Sequence, residues 1–196
     1  MVLNMNYNFF AYLNRMKYIK RWSLMHSMVE ENVMEHTEQV SVVAHALAVI
    51  KNKIYGGNVS VEKVLLYAQY HETSEVITGD LPTPIKYFNK EINGAYKDLE
   101  RGAELKLLSM LPEELYNEYK DAVIPNEDSE EFKIMKLADK ISAYIKCVEE
   151  VKSGNKEFVK AKQTIKIELD KCERDEVKYF IKNILPSYEK TLDELD

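Results

Sequence analysis

Two histidines and two glutamates stand where helical periodicity expects apolar side chains. At roughly 100° per residue, Val61, Val64, Leu65 and Ala68 draw an inward line, and its continuation passes through Glu72 and Glu75 with His71 at its edge. Burying an unpaired carboxylate costs on the order of several kcal/mol, so two on one face imply a metal ion or a basic partner that neutralises them. The alternative is a helix that has left the core by residue 71 and holds both glutamates in solvent. His36 shares a line with Val40, Val43 and Leu47 and so faces inward, whereas His45 points to the opposite side. A lone inward histidine is more often a hydrogen-bonded core residue. Two of them beside two carboxylates are harder to account for as core residues alone.

Other residues are less decided by pattern. Asp139 falls off the stripe of its own helix, which is Ile134, Ala138, Ile141, Ile145 and Val148, so periodicity alone makes it a solvated surface residue. That helix is apolar over most of its circumference apart from the Lys133, Lys136 and Lys140 edge, which leaves an inward Asp on a central helix as the alternative. The single Trp of the chain, Trp22, directly follows Arg21 in a predicted loop. Read plainly, the indole anchors that loop on the core. Read chemically, the guanidinium forks onto a phosphate with an aromatic wall beside it. No Walker loop, GxGxxG, nucleophile elbow or zinc-ribbon spacing occurs.

The elements that must position these groups are helices. Only 6 Gly and 5 Pro punctuate the chain, between long stretches of helix formers, and no strand-like alternation survives. The pattern predicts a helix over about Tyr7–Ile19, a second from near Glu35 to Lys53 that stops at Gly56-Gly57, and a third capped by Ser60. Thr78 to Pro84 reads as a rigid irregular loop because two prolines fix it. A helix from about Glu91 to Leu111 follows, then a shorter one begun by Pro112, then one opened by an Asp128-x-x-Glu131 capping box and closed near Gly154. Two more complete the chain, with Pro186 ending the last before a short acidic tail. With no repeat, linker or composition break, the expected architecture is one all-α domain over residues 1–196.

Composition narrows the function classes. A chain of 196 residues with 45% hydrophobic and 31% charged residues has the apolar surface to fold. Its net charge of −6 supplies no global positive field for a nucleic acid polymer. Cys147 and Cys172 are distant and form no CxxC pair, which suits a reducing cytoplasm. The longest apolar run, Val42 to Ile50, falls well short of the roughly 20 residues that span a bilayer. No membrane partner is expected.

Taken together, Arg21-Trp22, Glu31-Asn32-Val33-Met34-Glu35-His36, Tyr70-His71-Glu72-Thr73-Ser74-Glu75, Thr78-Gly79-Asp80-Leu81-Pro82-Thr83-Pro84 and Leu137-Ala138-Asp139-Lys140 resemble the bacterial 5′-deoxynucleotidases (YfbR-like) of the HD-domain phosphohydrolase superfamily, from about Asn8 to Leu195. The resemblance implies a single HD-domain helical bundle in which His36, His71, Glu72 and Asp139 hold a divalent transition metal such as cobalt or manganese. It implies that Arg21 orients the substrate phosphate and that Trp22 packs near the sugar and disfavours a 2′-hydroxyl. Asp80, Leu81, Pro82 and Thr83 match the loop that contacts the nucleoside, with His36, Glu72 and Asp139 also bordering the substrate. Glu75 and Asp80, together with Arg21, match groups implicated in catalysis. The family's pattern further implies a homodimer acting on deoxyribonucleoside 5′-monophosphates. One departure is plain: the superfamily dyad is His-Asp, and here it is His71-Glu72, one methylene longer. The rival expectations are another HD phosphohydrolase acting on a triphosphate or cyclic nucleotide, a non-catalytic nucleotide-sensing module, and a purely structural helical protein.

Overall fold

The chain is described by a computed structural model over residues 7–86 and 88–196. Ten α-helices are found among these residues: α1 (Phe9–Leu13), α2 (Val33–Ile54), α3 (Val61–Tyr70), α4 (Glu75–Thr78), α5 (Thr83–Lys86), α6 (Lys90–Leu108), α7 (Glu113–Val123), α8 (Glu130–Lys152), α9 (Val159–Asp170) and α10 (Asp175–Asn183). No strand occurs among the described residues, only an isolated antiparallel bridge between Lys20 and Asn32. The fold is all-α, as the punctuation predicts.

The long helices α2 and α8 form the axis, with α3 packed on both and α9, α10 and a 3₁₀ segment at Leu185–Glu189 closing the far side. Val40, Val43 and Leu47 of α2 meet Ile134, Ala138, Ile141, Ile145 and Val148 of α8 in the main core, all of them buried. On α3 the buried line is Val64, Tyr67 and Ala68, while Val61 and Leu65 are half-buried. A smaller apolar cluster joins Phe9, Leu107, Leu108, Leu111 and Val123 from α1, α6 and α7 and the turn after α6. Removing this much apolar surface from water is the main driving force for such a bundle.

Local chemistry explains where boundaries differ from expectation. The first helix stops at Leu13 and continues as a 3₁₀ turn over Asn14–Tyr18, because Ile19 is extended and its carbonyl accepts the Val33 N–H at 3.0 Å. Helix α2 begins at Val33, not near Glu35: Asn32 accepts from the Met34 and Glu35 N–H groups while Glu35 reaches back to the Asn32 N–H, a reciprocal capping box. Ser129, not Asp128, caps α8 by accepting from Phe132 N–H, and Glu131 is diverted to the Ser60 N–H at the start of α3. Ser60 caps α3 as expected, accepting from Lys63 N–H at 3.2 Å. Gly154, at φ +90°, turns the chain out of α8 in a conformation that side chains disfavour.

Candidate active site

The site forms where α2, α3 and α8 approach one another, and each helix contributes by a different local device. His36 sits one turn into α2 and is fully buried, which the α2 stripe predicts. His71 and Glu72 do not extend α3 as a straight stripe. Helix α3 ends at Tyr70, whose carbonyl accepts both the Thr73 hydroxyl (2.6 Å) and the Thr73 N–H (3.1 Å). A hydroxyl competing for helix carbonyls breaks the run. The chain turns, and Glu75 starts the new helix α4 with its carboxyl buried. Both glutamates thus reach the interior through a turn.

Asp139 corrects its reading as a solvated surface residue. Its Oδ1 lies 3.1 Å from His36 Nε2, and its Oδ2 accepts from Lys136 Nζ at 2.8 Å. Helix α8 packs against α2 and α3 together, so a residue off its main stripe still faces the interhelical space. One ligand-type atom from each of His36, His71, Glu72 and Asp139 lies within 4.8 Å of the other three. The two imidazole centroids are 5.5 Å apart, and Glu72 Oε1 stands 3.3 Å from His71 Nε2 and 3.8 Å from His36 Nε2.

The hydrogen bonding within this cluster fits a cation. His71 Nδ1–H donates to the Ala68 carbonyl at 2.7 Å, and because a carbonyl only accepts, Nε2 is the nitrogen left to face the carboxylates. That Nε2 is buried and has no hydrogen-bond partner among the described residues. A ring nitrogen oriented by a backbone carbonyl and aimed at two carboxylates and a second imidazole has the donor set of a divalent-metal site. Glu72 reaches this set despite its extra methylene.

Acidic and basic groups ring the cluster. Arg21 is largely buried, donates through Nε to Glu31 Oε2 at 3.0 Å, and brings Nη1 to 3.8 Å from Glu72 Oε1. Burial would raise the Glu72 pKa, yet the imidazoles of His71 and His36 hold it well below the usual carboxylate range. Burial disfavours charge on His71, and the Glu72 and Asp139 carboxylates outweigh it and raise its pKa. Glu75 is pushed far up, first by burial and then by the Glu72 and Asp80 carboxylates, so it holds a proton at neutral pH. Asp80 is raised by burial and by Glu72, against the opposing pull of Arg21 and of the Trp22 backbone N–H.

The remaining expected residues are placed more loosely. Trp22 anchors its loop as the plain reading suggests, its ring packing edge-on against Phe158 at 5.3 Å. Of the Thr78–Pro84 stretch only residues 79–82 are irregular, because Thr78 closes α4 and the Pro82 carbonyl accepts from Ile85 and Lys86 and starts α5. Pro84 falls in that first turn, where a missing N–H is harmless. Leu81 and Pro82 are half-buried and Thr83 is exposed, and no side-chain hydrogen bond among the described residues ties them to the cluster. Three partners escaped the pattern reading: Lys136 on Asp139, Glu31 on Arg21 and Trp22, and the buried Lys146–Glu150 pair. The signal for Glu31 was available, since two adjacent N–H donors in a loop need an acceptor.

Comparison with known proteins places the chain in a family. The family model described as 5′-deoxynucleotidase YfbR-like matches residues 8–188. A relative from Vibrio cholerae serotype O1, named 5′-deoxynucleotidase, is 52% identical over 96% of this chain and 97% of its own. Among solved structures, an HD-domain phosphohydrolase from Listeria innocua superposes with a TM-score of 0.81 at 25% identity, covering 92% of this chain and 88% of that one. A cyanophage S-2L HD phosphohydrolase, solved bound to dA and one catalytic Zn²⁺ ion, shares the fold with a TM-score of 0.60 at 17% identity, over 90% of this chain and 96% of that one. With a model match over nearly its whole length and a relative half identical to it, the chain belongs to the 5′-deoxynucleotidase YfbR-like family.

Proposed function

We propose that residues 1–196 form one HD-type metal-dependent phosphohydrolase domain that converts deoxyribonucleoside 5′-monophosphates to deoxyribonucleosides and phosphate. The observation that carries this reading is the convergence of His36, His71, Glu72 and Asp139 from three regions of the chain within 4.8 Å, beside a buried arginine. These four residues are the proposed ligands. Their mixed imidazole and carboxylate donors suit manganese, cobalt, iron or zinc. A divalent cation so held supplies Lewis-acid neutralisation of the phosphoryl oxygens when bound.

The chain's own groups do the rest. Arg21 binds the phosphate through its Nη edge, since its Nε is already engaged by Glu31. Glu75, kept neutral by burial and its acidic neighbours, is the proposed proton donor to the leaving 5′-oxygen. Asp80 orients the attacking water and, with Leu81, Pro82 and Thr83, borders the nucleoside. Trp22 packs by the sugar and disfavours a 2′-hydroxyl. The resemblance supports a homodimer, which light scattering of purified protein tests, and the distant, unpaired Cys147 and Cys172 suit a cytoplasmic protein. Among the described residues no helix is long and apolar enough to cross a membrane.

The deciding experiment measures phosphate release from dAMP and AMP across Mn²⁺, Co²⁺, Zn²⁺ and Mg²⁺, with dATP as a third substrate. The expected result is metal-dependent turnover of dAMP with little of AMP. Release of triphosphate from dATP with no turnover of dAMP would assign another reaction of the superfamily, and nucleotide binding without turnover would assign a sensing role.

A further inference from the structure

One carboxylate oxygen holds both residues of the Arg21-Trp22 pair. Glu31 Oε2 accepts from Arg21 Nε at 3.0 Å and from Trp22 Nε1 at 3.0 Å. Its main chain adds a third tie, because the Glu31 carbonyl accepts the Arg21 N–H at 3.0 Å. A carboxylate oxygen has two lone-pair directions, so one atom can serve both donors. Glu31 and Arg21 are both largely shielded, with side chains 14% and 12% exposed, where charge-assisted bonds are strong.

The backbone of the pair needs such a hold. Trp22 is the one non-glycine residue with positive φ among the described residues, at +57°. That conformation is costly for a bulky side chain and persists only where its surroundings over-determine it. Glu31 sits directly before the Asn32 cap of α2, so the restraint is anchored to the same helix that carries His36. With Nε occupied, the guanidinium is turned so that Nη1 faces Glu72. The indole is turned so that its ring meets Phe158.

We infer that Glu31 is a positioning residue that sets the phosphate-binding guanidinium and the sugar-facing indole in one rigid frame, so that substrate affinity and preference for the 2′-deoxy sugar are controlled together. This rests on the roles proposed above for Arg21 and Trp22. A merely structural Glu31 would alter stability and leave the dAMP to AMP preference where it was.

Because Trp22 is the only Trp, intrinsic fluorescence reports its environment directly. In Glu31→Ala, the KM for dAMP should rise about tenfold and the preference for dAMP over AMP should fall by a similar factor. Its emission should shift red and its quenching by acrylamide increase. Glu31→Gln keeps an oxygen able to accept both N–H groups and should restore the emission and most of the preference. Wild-type KM, preference and emission in Glu31→Ala would overturn the inference. Should Glu31→Ala not fold, Glu31→Asp carries the same readouts, since it withdraws the oxygen by one methylene and cannot reach both donors. Arg21→Ala and Trp22→Ala are measured alongside. If they leave KM and preference unmoved, the proposed roles of those two residues fail, and with them the inference; if they move both while Glu31→Ala does not, only the inference fails.

Discussion

His36 Nε2 and Asp139 Oδ1 lie 3.1 Å apart although 103 positions separate them in the chain. That contact ties α2 to α8 across the candidate metal cluster. Both His36→Ala and Asp139→Ala should therefore abolish metal-dependent phosphate release from dAMP. The check independent of activity is thermal. A divalent ion at about 100 times its Kd should raise the wild-type Tm by roughly 5–10 °C, from about 2.7 kcal/mol of linkage, and should leave either variant unmoved. Equal turnover by the alanine variants would end the assignment.

Glu75 is neutral in its site because burial and the carboxylates of Glu72 and Asp80 make a second negative charge costly. Glu75→Gln keeps that neutrality and shape but has no proton to give. Its kcat should fall about 100-fold or more, with folding and the metal-induced Tm rise preserved. Wild-type kcat in this variant would move the proton-transfer role to Asp80.

The segment that carries Arg21 and Trp22 is fastened to α8 by a buried ion pair. Glu150 is fully buried, meets Lys146 Nζ at 2.6 Å, and accepts from the Met28 and Val29 N–H groups and from Asn155 Nδ2. Lys146 in turn donates to the Val29 carbonyl. Glu150→Ala strands a buried ammonium and two N–H groups, and should destabilise the fold by about 3–5 kcal/mol in urea titration. Burial alone would raise the Glu150 pKa, but these donors hold it down to about 2 from an ordinary 4.5. A folded value below the unfolded one means the stabilisation is present above about pH 4.5 and is lost as pH falls toward 2. The midpoint of urea unfolding should drop over that window, and less steeply in Glu150→Gln.

Glu104 behaves in the opposite sense. Burial pushes its carboxyl up to about 7, against the nearby Arg101 at 3.3 Å. The unfolded chain ionises from about 4.5 while the folded one keeps the proton until about 7, so stability falls as pH rises through that interval. Glu104→Gln should be more stable than wild type by about 1 kcal/mol at pH 8 and indistinguishable at pH 4, the size limited by solvent and Arg101. Differential scanning calorimetry at the two pH values decides it.

Much of this arrangement is legible in the residues. The order of the longer helices, the Ser60 cap, the inward face of His36 and the outward one of His45 all follow from local pattern, and the structure agrees, while the short helices α4 and α5 add to the eight that the pattern predicts. Other positions resisted for identifiable reasons. The Asn32/Glu35 box starts α2 at Val33, two residues before the expected Glu35. Thr73 broke α3 by taking the Tyr70 carbonyl, so the inward glutamates arrive by a turn that a fixed helical angle does not describe.

Sequence alone thus determined an all-α chain and an inward imidazole on α2, because helical angle is a property of a single segment, and it offered carboxylates that need a counter-charge once buried. Tertiary structure decided that Asp139 meets His36, His71 and Glu72, that Glu31 serves both Arg21 and Trp22, and that Glu150 anchors their loop. Each of those depends on which helix lies opposite. A periodic pattern reports the direction a side chain takes from its own axis and carries no information about the partner that meets it there.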